Sequence, residues 1–299
     1  MGIDLAVIWA IIIFFGVMMY VVTDGFDLGI GILFPFLPNK EDRDVMTKSV
    51  APLWDGNETW LVFGAAGLMA AFPTAYAVVL GAFHLPLIFM LLGLIFRGVA
   101  FEFRVNSNEG QRAFWDRSFF FGSLVATFFQ GVTLGAYIEG IEFFGGAYHG
   151  GTWDWISPFS IFTGAVLLVI AVLSVWTPLS HPAIASRWFS VPNIFWFAPV
   201  PVLVALASYG LLRSLGRTPK AAPFILTLCL VFLGYSGLGI SLWPNIIPPS
   251  VSILEAAAPA QSQGFTLVGA LLVIPMILMY TSWSYYVFRG KARAADGYH

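Results

Sequence analysis

Charge is scarce in this sequence: 10% of its 299 residues are Asp, Glu, Lys or Arg, against 59% that are hydrophobic. So few polar groups cannot coat a water-soluble domain of this length, which excludes a soluble enzyme and indicates a polytopic membrane protein. Cysteine is nearly absent. Cys229, alone in an apolar run, excludes a disulfide framework and a cysteine-based metal site, and it leaves the redox compartment unread. Histidine is sparse too, and with His149 and His181 in expected outer loops and His299 at the terminus, no multi-histidine metal site is expected. A net charge of −2 without a basic tract leaves no electrostatic footprint for nucleic acid. A basic leader is also missing, so "MGIDLAVIWAIIIFFGVMMYVV" reads as a retained first span.

What the chain has instead is long apolar runs, near 5–34, 51–71, 74–98, 117–138, 157–176, 194–213, 221–242 and 265–288. Each is long enough to cross a hydrocarbon core of about 30 Å. Short loops join them, among them "LPNKEDRD" (37–44), "RVNSNEGQR" (104–112), "GGAYHGGTWDW" (145–155) and "WPNIIPPS" (243–250). The expected fold is therefore an all-α polytopic membrane protein, a single transmembrane domain over 1–299 with eight apparent spans.

Basic residues favour loops that stay in the cytoplasm. Lys40, Arg43 and Lys48 follow the first span, and Arg97, Arg104, Arg112 and Arg117 follow the third, which sets the N-terminus outside. Arg213, Arg217 and Lys220, and then Arg289, Lys291 and Arg293, should be cytoplasmic by the same rule, yet eight simple crossings put both clusters outside. One crossing more or fewer between 157 and 193 reconciles every cluster, so that stretch is expected to be irregular.

Charges do occur inside the spans. Asp24 and Asp27 share one face of the first helix, because residues three apart differ by only about 60° in direction. Asp55 and Glu58 repeat that spacing at the cytoplasmic start of the second span, and Arg97 and Glu102 mark the cytoplasmic end of the third. A carboxylate facing lipid costs about 2.5 kcal/mol or more, so such residues face the bundle interior, pair, or carry protons. The plainer alternative is helix capping at the interface, which fits Glu58 and Asp55 better than Asp24, too deep in its helix to cap it. Gly25 and Gly29, with Gly31 following, are expected to let a second helix approach beside these acids. His84 lies near mid-span as a haem ligand, a proton carrier or a satisfied polar residue. Gln130 is a buried amide without a nameable partner; Glu139 and Glu142 read as solvated, and Trp153, Trp155, Trp188, Trp243 and Trp283 as interfacial anchors.

The words "TDGFDLGIGILFPF" (23–36), "APLWDGNETWLV" (51–62) and "FRGVAFEFR" (96–104) resemble subunit II of bacterial cytochrome bd-type quinol oxidases. With "SVWTP" (174–178), "WFAPVP" (196–201), "WPNIIPPS" (243–250) and "YTSWSYYVFRG" (280–290), the resemblance covers essentially the whole chain and is nearest the cyanide-insensitive branch. It implies nine helices as two four-helix bundles plus a peripheral helix, here a first bundle over 1–140 and a second over 157–299, shortened near 173–174. Similar sequences carry a helix end, a cytoplasmic loop and the start of the next helix between the stretches matching Leu173 and "SVWTP", which answers the parity conflict.

What the resemblance implies further is a complex that oxidises quinol and reduces O2 to water in the bacterial plasma membrane. Haem b and haem d are expected in a larger partner, subunit I, with none bound directly by this chain; a structural quinone and a small accessory subunit remain open. Asp24, Asp27 and Asp55 match a proton relay from the cytoplasmic side. Trp54 and Asn57 shape its neighbourhood, and Arg97 and Glu102 match a charged helix end that supports the haem or quinone region. A proton-coupled secondary transporter and a purely structural membrane subunit are the alternatives.

Overall fold

The computed structural model describes residues 4–37, 39–165, 199–215 and 222–287. Helix α1 (Leu5–Leu33) starts where the Asp4 side chain accepts from the Ala6 N–H at 2.9 Å, and it runs into a 3-10 turn at Phe34–Phe36. The expected loop after it is instead largely helical, since α2 (Lys40–Val50) places Glu41 and Asp42 in its first turn and Lys48 in its last, matching the helix dipole. Next come α3 (Trp54–Ala71) and α4 (Pro73–Asn106), joined at Phe72, with Pro73 in the first turn where no N–H is required. Helix α4 kinks: Phe83 leaves helical geometry (φ −111°, ψ 21°) three residues before Pro86, whose ring opposes the carbonyl one turn back.

Helix α5 (Glu109–Glu139) is capped by Asn108, which accepts from Gln111 N–H at 3.0 Å, and ends at Gly140 (φ 99°). A small antiparallel hairpin follows, β1 (Phe143–Phe144) with β2 (Ala147–Tyr148), turning through Gly145 and Gly146, both at positive φ as a two-residue turn of this kind needs. Beyond it lie α6 (Pro158–Ala165), α7 (Pro199–Leu215), α8 (Ala222–Leu242), a second hairpin of β3 (Asn245–Ile247) and β4 (Val251–Ser252), and α9 (Ala260–Val287).

Among the described residues, five helical stretches are long and apolar enough to cross a membrane: Leu5–Phe36, Pro73–Asn106, Gly110–Glu139, Ile225–Leu242 and Ala260–Val287. The all-α membrane expectation therefore holds, although the expected span at 51–71 forms α3, whose polar first turn leaves it short of that apolarity; the runs at 157–176 and 194–213, the shortening near 173–174 and the terminal basic cluster fall wholly or partly outside the described residues. Phe265, Leu271, Leu272, Met276 and Met279 stand exposed on α9, a surface suited to lipid or to protein.

Helices α4 and α5 form an antiparallel pair whose backbones touch. A Cβ on Gly93 would sit 2.7 Å from Gly122 O, and one on Gly122 would sit 2.8 Å from Arg97 N, so only hydrogen fits on either side. Gly131 and Gly135 do the same for α5 against α6. Trp9, Phe72, Val78, Phe83, Val132 and Ile247 join in the largest buried cluster. Trp9 Nε1 also donates to Gln263 O at 3.0 Å, tying α1 to α9.

Candidate functional site

The charged residues of the spans meet in one place. Arg97, on α4 one turn beyond the glycine crossing, is fully buried, and its Nη2 donates to Asp24 Oδ1 of α1 at 2.6 Å and to Glu58 Oε1 of α3. Asp24 is as buried as Arg97, whereas the Glu58 side chain keeps 24% of its surface and so connects the cluster to the outside of this chain. Asp27, one turn from Asp24 and equally buried, has an amide partner instead of a cation: Asn57 Nδ2 donates to its Oδ2 at 2.8 Å. The same amide reaches Thr23 O at 3.5 Å, and Tyr285 of α9 donates its hydroxyl to Asn57 Oδ1 at 3.4 Å. On the other flank Gln130 Nε2 donates to the Tyr20 hydroxyl at 2.5 Å, and Tyr20 stands one turn before Asp24 on the same helix face.

The charge balance of this cluster is uneven, with one guanidinium set among Asp24, Asp27 and Glu58. Asp24 Oδ2, Asp27 Oδ1, Arg97 Nε and Arg97 Nη1 are buried without a hydrogen-bond partner among the described residues. Buried polar atoms are normally satisfied, so the cluster retains capacity for a proton or for hydrogen-bonding groups beyond its own.

Not every expected site residue joins it. Asp55 lies exposed on α3, within electrostatic reach of the half-buried Glu58 three residues on, and has no contact with Arg97 or Asp24 among the described residues. Trp54 stacks on Phe101 at 5.6 Å and lies against Gly98, flanking Arg97 without touching the acids. Glu102 is exposed, and its carbonyl accepts from Asn106. A Cβ on Gly25 or Gly29 would meet nothing within 4 Å among the described residues; it is Gly31 that lies against Ser123 and Phe119. His84 is exposed, and its Nδ1 sits 2.9 Å from Gly81 O, beside the backbone break at Phe83. Among the described residues no group of three or more His, Cys, Asp or Glu is arranged to hold a metal ion. His181 and His299 lie outside those residues.

Sequence reasoning gave Glu58 a capping role as readily as a site role, and it missed Tyr20 and Tyr285. It also placed Arg104 in a loop, whereas α4 continues through Asn106 and buries Arg104 between Asp116 Oδ1 (2.6 Å) and Asp44 Oδ1 (2.8 Å). Arg43 adds a contact to Asp116 at 3.5 Å, and the Phe34 ring lies 5.9 Å from the Arg43 guanidinium and 5.3 Å from that of Arg104. This second cluster clamps the end of α1 and helix α2 onto the α4–α5 pair.

The sequence and its helical fold have relatives. A family model described as cytochrome bd terminal oxidase subunit II matches residues 5–175 and 165–288. The chain belongs to that family. Cytochrome bd ubiquinol oxidase subunit 2 of Bacillus subtilis is 30% identical over 334 aligned positions, covering 96% of this chain and 96% of the relative. Cytochrome bd-I ubiquinol oxidase subunit 2 of Escherichia coli K12 is 26% identical over 367 positions, covering 97% and 95%. That alignment is longer than the 299-residue chain itself, so the Escherichia coli subunit carries segments without a counterpart here. The bd oxidase structure from Geobacillus thermodenitrificans superposes with a TM-score of 0.66 at 20% identity, over 96% of this chain and 100% of that one, which establishes the shared fold. As a cytochrome bd subunit II, the chain is a multi-pass membrane protein.

Proposed function

We propose that this subunit serves a respiratory quinol:O2 oxidoreductase by supporting a haem-bearing subunit I and by taking up protons, from the cytoplasmic side, for the reduction of O2 to water. The observation that carries the reading is the gathering of Asp24 and Asp27 of α1 and Glu58 of α3 around the single guanidinium of Arg97 of α4, with α1 and α4 long and apolar enough to cross a membrane. Carboxyls in excess over cations, shielded from lipid, are suited to hold and pass protons.

Asp55, on the exposed side of α3, receives a proton where subunit I covers this chain; Glu58, one turn on, leads to the Arg97–Asp24 pair, and Tyr20 and Gln130 continue toward the middle of the bundle. Haem b and haem d, held by subunit I, supply the electron transfer and the oxygen chemistry. This chain's residues hold and move protons and fix the helices against the partner. The basic residues near α2 and the α4–α5 connection orient the chain with its N-terminus outside and its C-terminus in the cytoplasm of a bacterial cell. A transporter is not favoured, since the relatives described above are oxidase subunits.

The test is Asp55→Asn and Asp24→Asn in the assembled complex. Both are expected to slow quinol-driven O2 consumption while haem content stays near normal. Full assembly with the wild-type rate in both variants would refute the relay and leave a structural subunit.

A further inference from the structure

The two arms of the buried cluster are built differently. Asp24 and Glu58 are held by the charge of Arg97, whereas Asp27 is held by an amide whose orientation is itself set from α9. An ionised carboxylate only accepts hydrogen bonds, so Asn57 must present its NH2 to Asp27 and its carbonyl away. The group that meets that carbonyl is the Tyr285 hydroxyl, on a residue that is 39% exposed while Asn57 is 1% exposed. Tyr285 thus reaches from the surface of α9 to the interior. Its helix sits close to α3 because residue 56 is glycine: a Cβ there would lie 2.7 Å from Tyr280 Cε1.

We propose that Tyr285 is a positioning residue for the Asp27 arm: by donating to Asn57 Oδ1 it keeps Nδ2 on Asp27 Oδ2 and leaves Asp27 Oδ1 as the oxygen that takes up and releases a proton. Of the two Asp27 oxygens, Oδ1 is the one buried without a partner among the described residues. Without the Tyr285 hydroxyl the amide is held against a half-turn only by Asp27 Oδ2 and, at 3.5 Å, by Thr23 O, and the turned amide offers Asp27 an acceptor that only a protonated carboxyl can satisfy. The proton would then be trapped on Asp27. The charged or titratable groups around this site are Asp24 on α1, Glu58 on α3, Arg97 on α4 and Tyr285 on α9, and none of them needs to move for the amide to turn. The proposal rests on the relay reading and assigns one arm of it a control point.

Tyr285→Phe keeps the ring and removes the donor. In the intact complex it is expected to lower turnover about two- to tenfold, the range set by one neutral hydrogen bond, with haem content and the quinol KM unchanged. A carboxyl C=O band in the redox-difference infrared spectrum should vanish in Asp27→Asn and shift in Tyr285→Phe. Tyr280→Phe, on the same helix, should match the wild type. Tyr285→Phe added to Asn57→Ala should cause no further loss, because the amide it orients is gone. A wild-type rate and band in Tyr285→Phe, independent effects in the double variant, or haem loss in Tyr285→Phe would each overturn the positioning role while leaving the relay intact. A wild-type rate in Asp27→Asn would instead overturn the part of the relay on which it rests.

Discussion

Replacing Arg97 with Ala would remove the only cation that contacts Asp24 and Glu58 among the described residues. Asp24 would be left in a site with no exposed surface, one partner short. Breaking a buried ion pair from one side costs about 3–5 kcal/mol, chiefly because the remaining charge cannot regain water. Against a total stability of about 5–15 kcal/mol for a folded domain, that loss should leave little assembled complex. The assay is the haem-to-protein ratio of the purified complex, with its thermal midpoint followed by haem absorbance. Arg97→Lys tests the cause: both carboxylates meet the single nitrogen Nη2, so a lysine ammonium at that point can serve both, and most of the haem should be retained. Adding Asp24→Asn and Glu58→Gln to Arg97→Ala should restore part of the midpoint, since the two carboxylates that lost their ion pair would no longer carry charge and Asp27 would keep its Asn57 partner. Normal haem and an unchanged midpoint in Arg97→Ala would refute the reasoning, as would Arg97→Lys failing as completely as Ala.

Gly122→Ala should lower the thermal midpoint of the complex by an amount equivalent to about 1–3 kcal/mol, because the added methyl meets backbone atoms Gly93 O and Arg97 N, which cannot step aside; an unchanged midpoint would count against the close crossing. Arg104→Ala, which leaves Asp116 with Arg43 at 3.5 Å and Asp44 with Arg112 at 3.9 Å in place of their closer partner, should cost about 1–3 kcal/mol by thermal unfolding, and the loss should shrink when Asp116→Asn is added. In the hairpin beyond α5, Tyr148 donates to Asp154 at 2.9 Å, and burial together with that carboxylate raises its hydroxyl from 10.0 to about 12. Because the folded value is the higher, its contribution is complete below pH 10.0 and is lost as pH rises through about 12; Tyr148→Phe should remove that alkaline loss, read as hydrogen exchange at Gly151 N–H.

The acids of α1 were legible because burial in a membrane helix leaves a carboxylate few options, and the three-residue spacing of Asp24 and Asp27 does put both inside. At α3 the same spacing leaves Asp55 exposed and Glu58 half-buried, because the edge of the packed side passes through this turn, an edge set by which helices pack there. Arg97 was visible as a charge, but its two partners lie 73 and 39 residues away, and no local pattern connects them. Arg104 was hidden for another reason: α4 continues past its apolar run, and the helix end is buried only because α2 and α5 supply Asp44 and Asp116. Gln130 had no visible partner because Tyr20, 110 residues earlier, looks like any aromatic residue in an apolar helix.

The contact of Gly93 with Gly122 has a mechanical consequence. Where two helices cross through side chains, either can shift by exchanging rotamers, but here backbone rests on backbone and there is nothing to rearrange. The hairpin of α4 and α5 is therefore a stiff lever with its fulcrum one turn from Arg97. Its far arm is gripped at Arg104 by Asp44 of α2, so that short polar helix and the guanidinium between Asp24 and Glu58 are joined through one continuous stretch of α4.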